Sequence, residues 1–240
     1  MKKILVCFGT RPEAIKMAPV VLILLKEKSL NIKICVTAQH RQMLDQVLGF
    51  FKITPDYDLN LMKPNQSLNE LSSRILSKVD VVLNDFNPDL VLVHGDTTTS
   101  SMVALAAFHK KIKIGHIEAG LRTYDKTAPF PEEINRQITG RLADFHFAPT
   151  QKSANNLIIT ENINKKNVFI TGNTVIDALL WGIKHINEDR VEIINLKQKI
   201  NPNKKLILVT GHRRENFGDK FKEFCEALLK LAKRDDVQLI

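Results

Sequence analysis

The segment Phe8-Gly9-Thr10-Arg11-Pro12-Glu13-Ala14-Ile15-Lys16-Met17 follows a short apolar run and opens a helical pattern. Gly9 permits a tight bend, and Pro12 suits a first helical turn. Helix N-termini after parallel strands attract anions. Arg11 and Lys16 would add charge-assisted bonds to a phosphate or carboxylate there. The same spacing also fits a plain strand-to-helix turn with surface charges. A second segment, Val93-His94-Gly95-Asp96-Thr97-Thr98-Thr99, puts Asp96 just past the carboxyl end of a strand. Parallel α/β sheets place their sites there. Asp96 could equally be a helix cap, because Asp and Thr both cap well.

The third segment is richer: Gly115-His116-Ile117-Glu118-Ala119-Gly120-Leu121-Arg122-Thr123, followed by Pro129-Phe130-Pro131-Glu132-Glu133-Ile134-Asn135-Arg136. Glu118 again follows a strand. Glu132 lies in a proline-framed turn that opens a helix. Acids in a first helical turn often serve the helix dipole, and Glu133 reads as such a partner. Arg136 could clamp one of these carboxylates. The fourth segment, Thr210-Gly211-His212-Arg213-Arg214-Glu215-Asn216, follows a later strand. His212 and an arginine there could meet a diphosphate, or the turn could be merely basic and solvated. No glycines have the Gly-x-Gly-x-x-Gly spacing of a dinucleotide site, and no Gly-Lys-Ser/Thr phosphate loop occurs. Bound NAD and ATP chemistry are therefore disfavoured.

Elements must hold these segments in place. Candidate strands are 3–8, 32–36, 90–94, 113–117, 145–148, 168–170, 206–210 and 237–240. Candidate helices are 12–26, 41–50, 68–84, 98–108, 133–142, 152–159, 175–185 and 220–234. This alternation predicts parallel sheets covered by helices on both faces. A boundary is expected near Thr171-Gly172-Asn173-Thr174, dividing a Rossmann-like domain at 1–171 from a partial second domain at 172–240. Glu188–Lys205 reads as a polar connection.

The 240 residues are 44% hydrophobic and 25% charged, an ordinary globular balance. The opening residues carry too short an apolar run for a signal peptide, with Arg11 and Glu13 at once behind it. A cytoplasmic, membrane-free protein is expected. Cys7, Cys35 and Cys225 form no Cys-x-x-Cys pair and read as buried small hydrophobes, with neither zinc nor disulfide. The net charge of +9 is spread over scattered lysines, and aromatics are only 6%. That combination gives little support to nucleic-acid binding.

Several stretches in register resemble the non-hydrolysing UDP-N-acetylglucosamine 2-epimerases: 8–19, Thr37-Ala38-Gln39-His40-Arg41-Gln42 and on to Leu48, 91–99, 115–123, 131–136, 169–178 and 210–216. The resemblance implies a glycosyltransferase-B-like fold of two Rossmann-like domains, with the nucleotide sugar between them. It implies interconversion of UDP-N-acetylglucosamine and UDP-N-acetylmannosamine with no cofactor. UDP would leave carbon 1 as carbon 2 loses its proton, then re-add after protonation on the other face. By family match, Asp96, Glu118 and Glu132 supply carboxylates and His212 joins the catalytic set. Arg11, Lys16, Asp96, Glu118, His212 and Arg213 would contact substrate or leaving group. Gln39, His40 and Gln42 resemble the stretch that contacts an activating UDP-N-acetylglucosamine, although a polar helix start would look the same. The full-length family member is expected to be a homodimer.

Family members continue well past position 240, so a C-terminally incomplete second domain and little or no activity alone are expected. Three other readings stand beside this one. A glycosyltransferase of the same architecture would share the phosphate contacts but need an acceptor site. A hydrolysing epimerase is a close variant, against which the Gln39–Gln42 stretch leans. A basic binding module is the reading from a different class.

Overall fold

The computed structural model describes residues 1–38, 41–61, 63, 65–186, 191–210 and 219–240, without the side chains of 41, 42, 192, 219 and 220. The chain divides into two compact units, Met1–Lys184 and His185–Ile240.

The first unit is a seven-stranded parallel sheet. Its strands are β1 (Lys2–Phe8), β2 (Leu30–Val36), β3 (Tyr57–Asp58), β4 (Leu90–His94), β5 (Lys113–Ile117), β6 (Phe145–Ala148) and β7 (Val168–Ile170), in the order β3-β2-β1-β4-β5-β6-β7. The order reverses between β1 and β4, the switch point where ligand crevices form in open α/β sheets. The helices are α1 (Arg11–Leu24), α2 (Arg41–Phe51), α3 (Leu68–Phe86), α4 (Thr98–His109), α5 (Glu132–Leu142), α6 (Gln151–Asn155) and α7 (Thr174–His185). A π-helical turn at Asn156–Thr160 extends α6, so the helix expected at 152–159 changes its winding midway.

Alternation along each strand sends its side chains to opposite faces. Val6, Phe8, Val36 and Leu92 pack under α1 and α2 with Met17, Val21, Leu44 and Phe51. Leu5, Cys7, Val91 and Val93 pack with Leu71, Ile75, Val79 and Val103 of α3 and α4 on the other face. With both faces covered, the central strands read as nearly continuous apolar runs. Each fully buried Leu or Ile stabilises the fold by roughly 1.5–3 kcal/mol.

The boundary expected near residues 171–174 precedes α7, and α7 belongs to the first unit. Ala178 joins its core, and the Trp181 ring lies 5.5 Å from Phe50 and 4.7 Å from Phe51. The second unit contains α8 (Val191–Lys199), β8 (Lys205–Ile207), α9 (Asp219–Ala232) and β9 (Val237–Leu239), with β8 and β9 parallel. Leu206, Leu208, Phe224 and Leu229 of this unit are exposed. The α8 helix replaces the polar connection expected across Glu188–Lys205. Two cysteines fit the expectation of buried hydrophobes, since Cys7 and Cys35 are opposite each other and fully buried. Cys225 departs from it, being only half-buried, and all three are free thiols.

Candidate active site

Three loops leave the carboxyl ends of β1, β4 and β5, which are neighbours in the sheet. The β1–α1 loop is built from Thr10 and Glu13. The Thr10 side chain caps α1 while Glu13 reaches back, a reciprocal capping box with Pro12 in the first turn. Glu13 is buried, and its Oε2 accepts from the backbone N–H of Gly9 at 3.0 Å and Thr10 at 2.8 Å. Its Oε1 accepts from the Thr97 hydroxyl at 2.7 Å, tying this loop to the next. Burial raises the Glu13 carboxyl above its usual range, against the bonds from Thr97, Gly9 and Thr10 that lower it. Gly9 is required by close approach, because a Cβ there would sit 2.0 Å from Thr37 Oγ1 and 2.6 Å from Thr99 Oγ1.

In the β4–α4 loop, Asp96 is not the helix cap. The cap of α4 is Thr97, whose side chain accepts from Ser100 N at 3.1 Å. Asp96 is therefore left for another partner, and Arg136 of α5 supplies it. The Arg136 Nε and Nη2 donate to Asp96 Oδ2 at 3.0 and 2.7 Å. The clamp expected of Arg136 on a carboxylate of its own segment is met at Glu133, and Arg136 holds Asp96 of the neighbouring loop as well.

In the β5 loop, Glu118 sits at φ 62°, a left-handed conformation uncommon for a residue with a Cβ. The turn is held by Gly120, at φ 85°, where a Cβ would lie 2.2 Å from the Ser153 carbonyl oxygen. Asn156 Nδ2 donates to the Gly120 carbonyl at 2.9 Å. Lys16 of α1 donates to both Glu118 oxygens, at 2.7 and 2.6 Å. The Glu118 side chain is 11% exposed and that of Lys16 24%. Burial would raise the Glu118 carboxyl, but the adjoining His94 and the hydrogen-bonded Lys16 outweigh it and hold it at about 2. Glu118 is thus a carboxylate throughout the neutral range.

Glu133 departs from the dipole role expected of it. It is fully buried, and accepts from Thr123 N at 3.0 Å, Tyr124 N at 3.1 Å, Gln137 Nε2 at 2.9 Å and Arg136 Nη1 at 3.3 Å. Burial raises its carboxyl, and these donors together bring it below its usual range. Its work is to pin the chain after β5. Arg122 pins the same chain from the other side through Glu161, at 2.5 and 3.0 Å.

Glu132 is half-buried in the first turn of α5, beside exposed Phe130, and no described residue bonds its carboxylate. Arg11 is exposed at the start of α1. Asp96, Glu118, Lys16, Arg11 and Glu132 all therefore lie on loops or helix starts that follow strands of one sheet. His212, Arg213, Gln39 and His40 lie outside the described residues. Gln42 is in the first turn of α2, without a described side chain. Sequence reasoning missed the anchoring by Glu13, although Thr10-x-x-Glu13 carries the capping-box pattern. It also passed over His94, which lies beneath Glu118. Among the described residues, no group of three or more His, Cys, Asp or Glu is placed to hold a metal, and no helix is long and apolar enough to cross a membrane.

Comparison with known proteins gives this geometry a family. The family model described as UDP-N-acetylglucosamine 2-epimerase matches residues 23–240. A UDP-N-acetylglucosamine 2-epimerase of Campylobacter jejuni is 59% identical over 97% of this chain and 62% of its own length. That of Escherichia coli K12 is 54% identical over 99% of this chain and 64% of its own. The chain thus spans less than two thirds of these curated relatives. The crystal structure of the Neisseria meningitidis UDP-GlcNAc 2-epimerase bound to UDP-GlcNAc superposes with a TM-score of 0.90 at 52% identity, over 99% of this chain and 64% of that one. A lipopolysaccharide outer core galactosyltransferase, at 12% identity and a TM-score of 0.52, shares the fold alone. The fold is the α/β, glycosyltransferase-B-like one, and the chain belongs to the UDP-N-acetylglucosamine 2-epimerase family.

Proposed function

We propose that this chain carries the sugar-facing groups of a non-hydrolysing UDP-N-acetylglucosamine 2-epimerase. The reaction is the reversible conversion of UDP-N-acetylglucosamine to UDP-N-acetylmannosamine, supplying a precursor for cell-surface polysaccharide. The observation that carries this reading is a pair of charge clusters, Lys16–Glu118 and Asp96–Arg136, at the carboxyl ends of adjacent strands β5 and β4. They occur in a chain 52% identical to a protein solved with UDP-GlcNAc bound.

The hydrogen on sugar carbon 2 has no neighbouring carbonyl to acidify it. An elimination resolves this. A carboxylate takes the proton, the C2–H electron pair becomes the C1–C2 double bond, and the C1–O pair departs with UDP. A proton then returns to carbon 2 on the opposite face, and a diphosphate oxygen of UDP attacks carbon 1. The cycle restores every oxidation state, so it uses no redox cofactor. It needs acid/base groups on both faces of the sugar, for which Asp96, Glu118 and Glu132 are the candidates. It also needs cations for the departing diphosphate, the role assigned to Arg11, Lys16, His212 and Arg213.

We assign effector binding to Gln39, His40 and Gln42, so UDP-N-acetylmannosamine alone would react slowly until a trace of UDP-N-acetylglucosamine is added. The working form is a cytoplasmic homodimer that engages neither nucleic acid nor membrane. The test is incubation with UDP-N-acetylglucosamine in heavy water, for the chain itself and for a chimera completed with the remaining residues of the Campylobacter jejuni relative. The expected product is UDP-N-acetylmannosamine bearing deuterium at carbon 2. Product without that label overturns the elimination, and no product from either protein overturns the activity.

A further inference from the structure

His94 ends β4, on the same face as Leu92 and therefore under α1. Its side chain is 4% exposed. Among the described residues, neither ring nitrogen has a hydrogen-bond partner. Buried polar atoms left in that state cost free energy, and such an atom in a native fold calls for an explanation. His116 shows the ordinary solution on the neighbouring strand: its Nε2 donates to the Gly95 carbonyl at 2.7 Å, as it must, since a carbonyl only accepts. The only carboxylate that ion-pairs with His94 among the described residues is Glu118, whose Oε2 lies 3.5 Å from Nε2. Lys16 meets the same oxygen at 2.6 Å.

We propose that His94 is the positioning residue for Glu118: its buried imidazole lies against Oε2, the oxygen that Lys16 also meets, and holds the carboxylate in place for proton transfer. This deepens the reading of Glu118 as an acid/base group and rests on it for its catalytic consequence. The strain at Glu118 gives the arrangement a physical logic. A residue at φ 62° keeps its place only where its surroundings over-determine it. His94 and Lys16 converging on Oε2 do that, and the register of His94 opposite Ile117 brings the imidazole to the residue that follows. The other titratable groups whose fields reach His94 are Glu13 of α1 and His116 of β5. Glu13 already accepts from Gly9, Thr10 and Thr97, so it is committed to the loops, whereas Glu118 faces outward enough to meet a ligand.

The test is a carboxyl-carbon NMR titration of the glutamate-labelled 240-residue chain, with the Glu118 signal assigned by Glu118→Gln. In the parent, Glu118 should stay ionised to the lowest pH at which the fold persists. In His94→Leu it should titrate at least one pH unit higher, within the folded range. His94→Gln, which keeps polarity and bulk but carries no charge, should do the same and stands in if the Leu variant does not fold. His146→Leu is the control, because His146 is equally buried and lacks hydrogen bonds but does not pair with Glu118; it should leave Glu118 unmoved. A Glu118 titration unchanged by both His94 variants, or moved equally by His146→Leu, overturns the proposal whether or not the chain is an epimerase. In the epimerase assay above, His94→Gln should lower kcat tenfold or more with KM within twofold, and move the acidic limb of kcat/KM to higher pH. An unmoved limb with kcat and KM changing together overturns the catalytic consequence. Loss of product in the parent with the NMR shifts intact overturns only the reading of function.

Discussion

Arg136 sends Nε and Nη2 to a single oxygen of Asp96, Oδ2, at 3.0 and 2.7 Å. Among the described residues nothing bonds Oδ1, so only one of the two oxygens is committed. Water partly screens this clamp, because Asp96 is 27% exposed and Arg136 16%. Replacing Arg136 by Met also takes a donor from buried Glu133, so stability should fall by about 1–3 kcal/mol. Turnover of UDP-N-acetylglucosamine should fall about a hundredfold, the usual scale of misplacing a reacting group. Denaturant melts and steady-state rates separate the two. A large stability loss with unchanged turnover reverses the assignment.

Asp96→Asn, Glu118→Gln and Glu132→Gln should each reduce epimerase turnover by about a hundredfold or more in the active form. Near-normal turnover in two of the three, with circular dichroism intact, removes the carboxylates from the mechanism.

Acid should erode the first unit in two windows. Burial lowers His116 to about 3 and His146 to about 4, from 6.5. Between 6.5 and those values the unfolded chain binds protons that the folded chain refuses, so stability falls as pH drops. Glu118 is lowered from 4.5 to about 2, so its contribution is full above 4.5 and is lost as pH falls toward 2. Urea melts from pH 7 downward should show stability declining from about pH 6.5, with the decline flattened in His116→Gln. A parent curve level from pH 7 to 4.5 contradicts the buried neutral histidines.

Two glycines should respond with opposite signs. Gly9→Ala puts a methyl 2.0 Å from Thr37 Oγ1, and the overpacking should cost about 1–3 kcal/mol. Gly49 lies in α2 with nothing within 4 Å of a Cβ. Gly49→Ala should raise stability by up to about 1 kcal/mol through helix propensity. Thermal melts of both variants check the pair, and equal shifts refute the space argument.

The effector assignment predicts that Gln42→Ala weakens activation by UDP-N-acetylglucosamine more than it lowers forward turnover. The measurement is the reverse reaction of UDP-N-acetylmannosamine with and without a trace of the other sugar. Equal activation in parent and variant removes Gln42 from that site.

Much of this was legible in the linear chain, because periodicity and strand-end position are local properties. Apolar runs separated by amphipathic segments set six of the seven strands of the first sheet and put Asp96 and Glu118 past strand ends. Two elements escaped. The strand β3 is two residues long, too short for any period, and α8 is polar enough to read as a connection. The choice of partners was beyond the sequence altogether. Asp96 could have been a cap until Thr97 took that place and Arg136, forty residues on, reached it. Glu133 resembled a dipole acid until folding buried it under the backbone of Thr123 and Tyr124. Lys16 and Glu118 are 102 residues apart and meet only because β1 and β5 flank β4. Local chemistry decides which atoms can bond, but strand order and burial decide which of them come within 3 Å and what water no longer competes for.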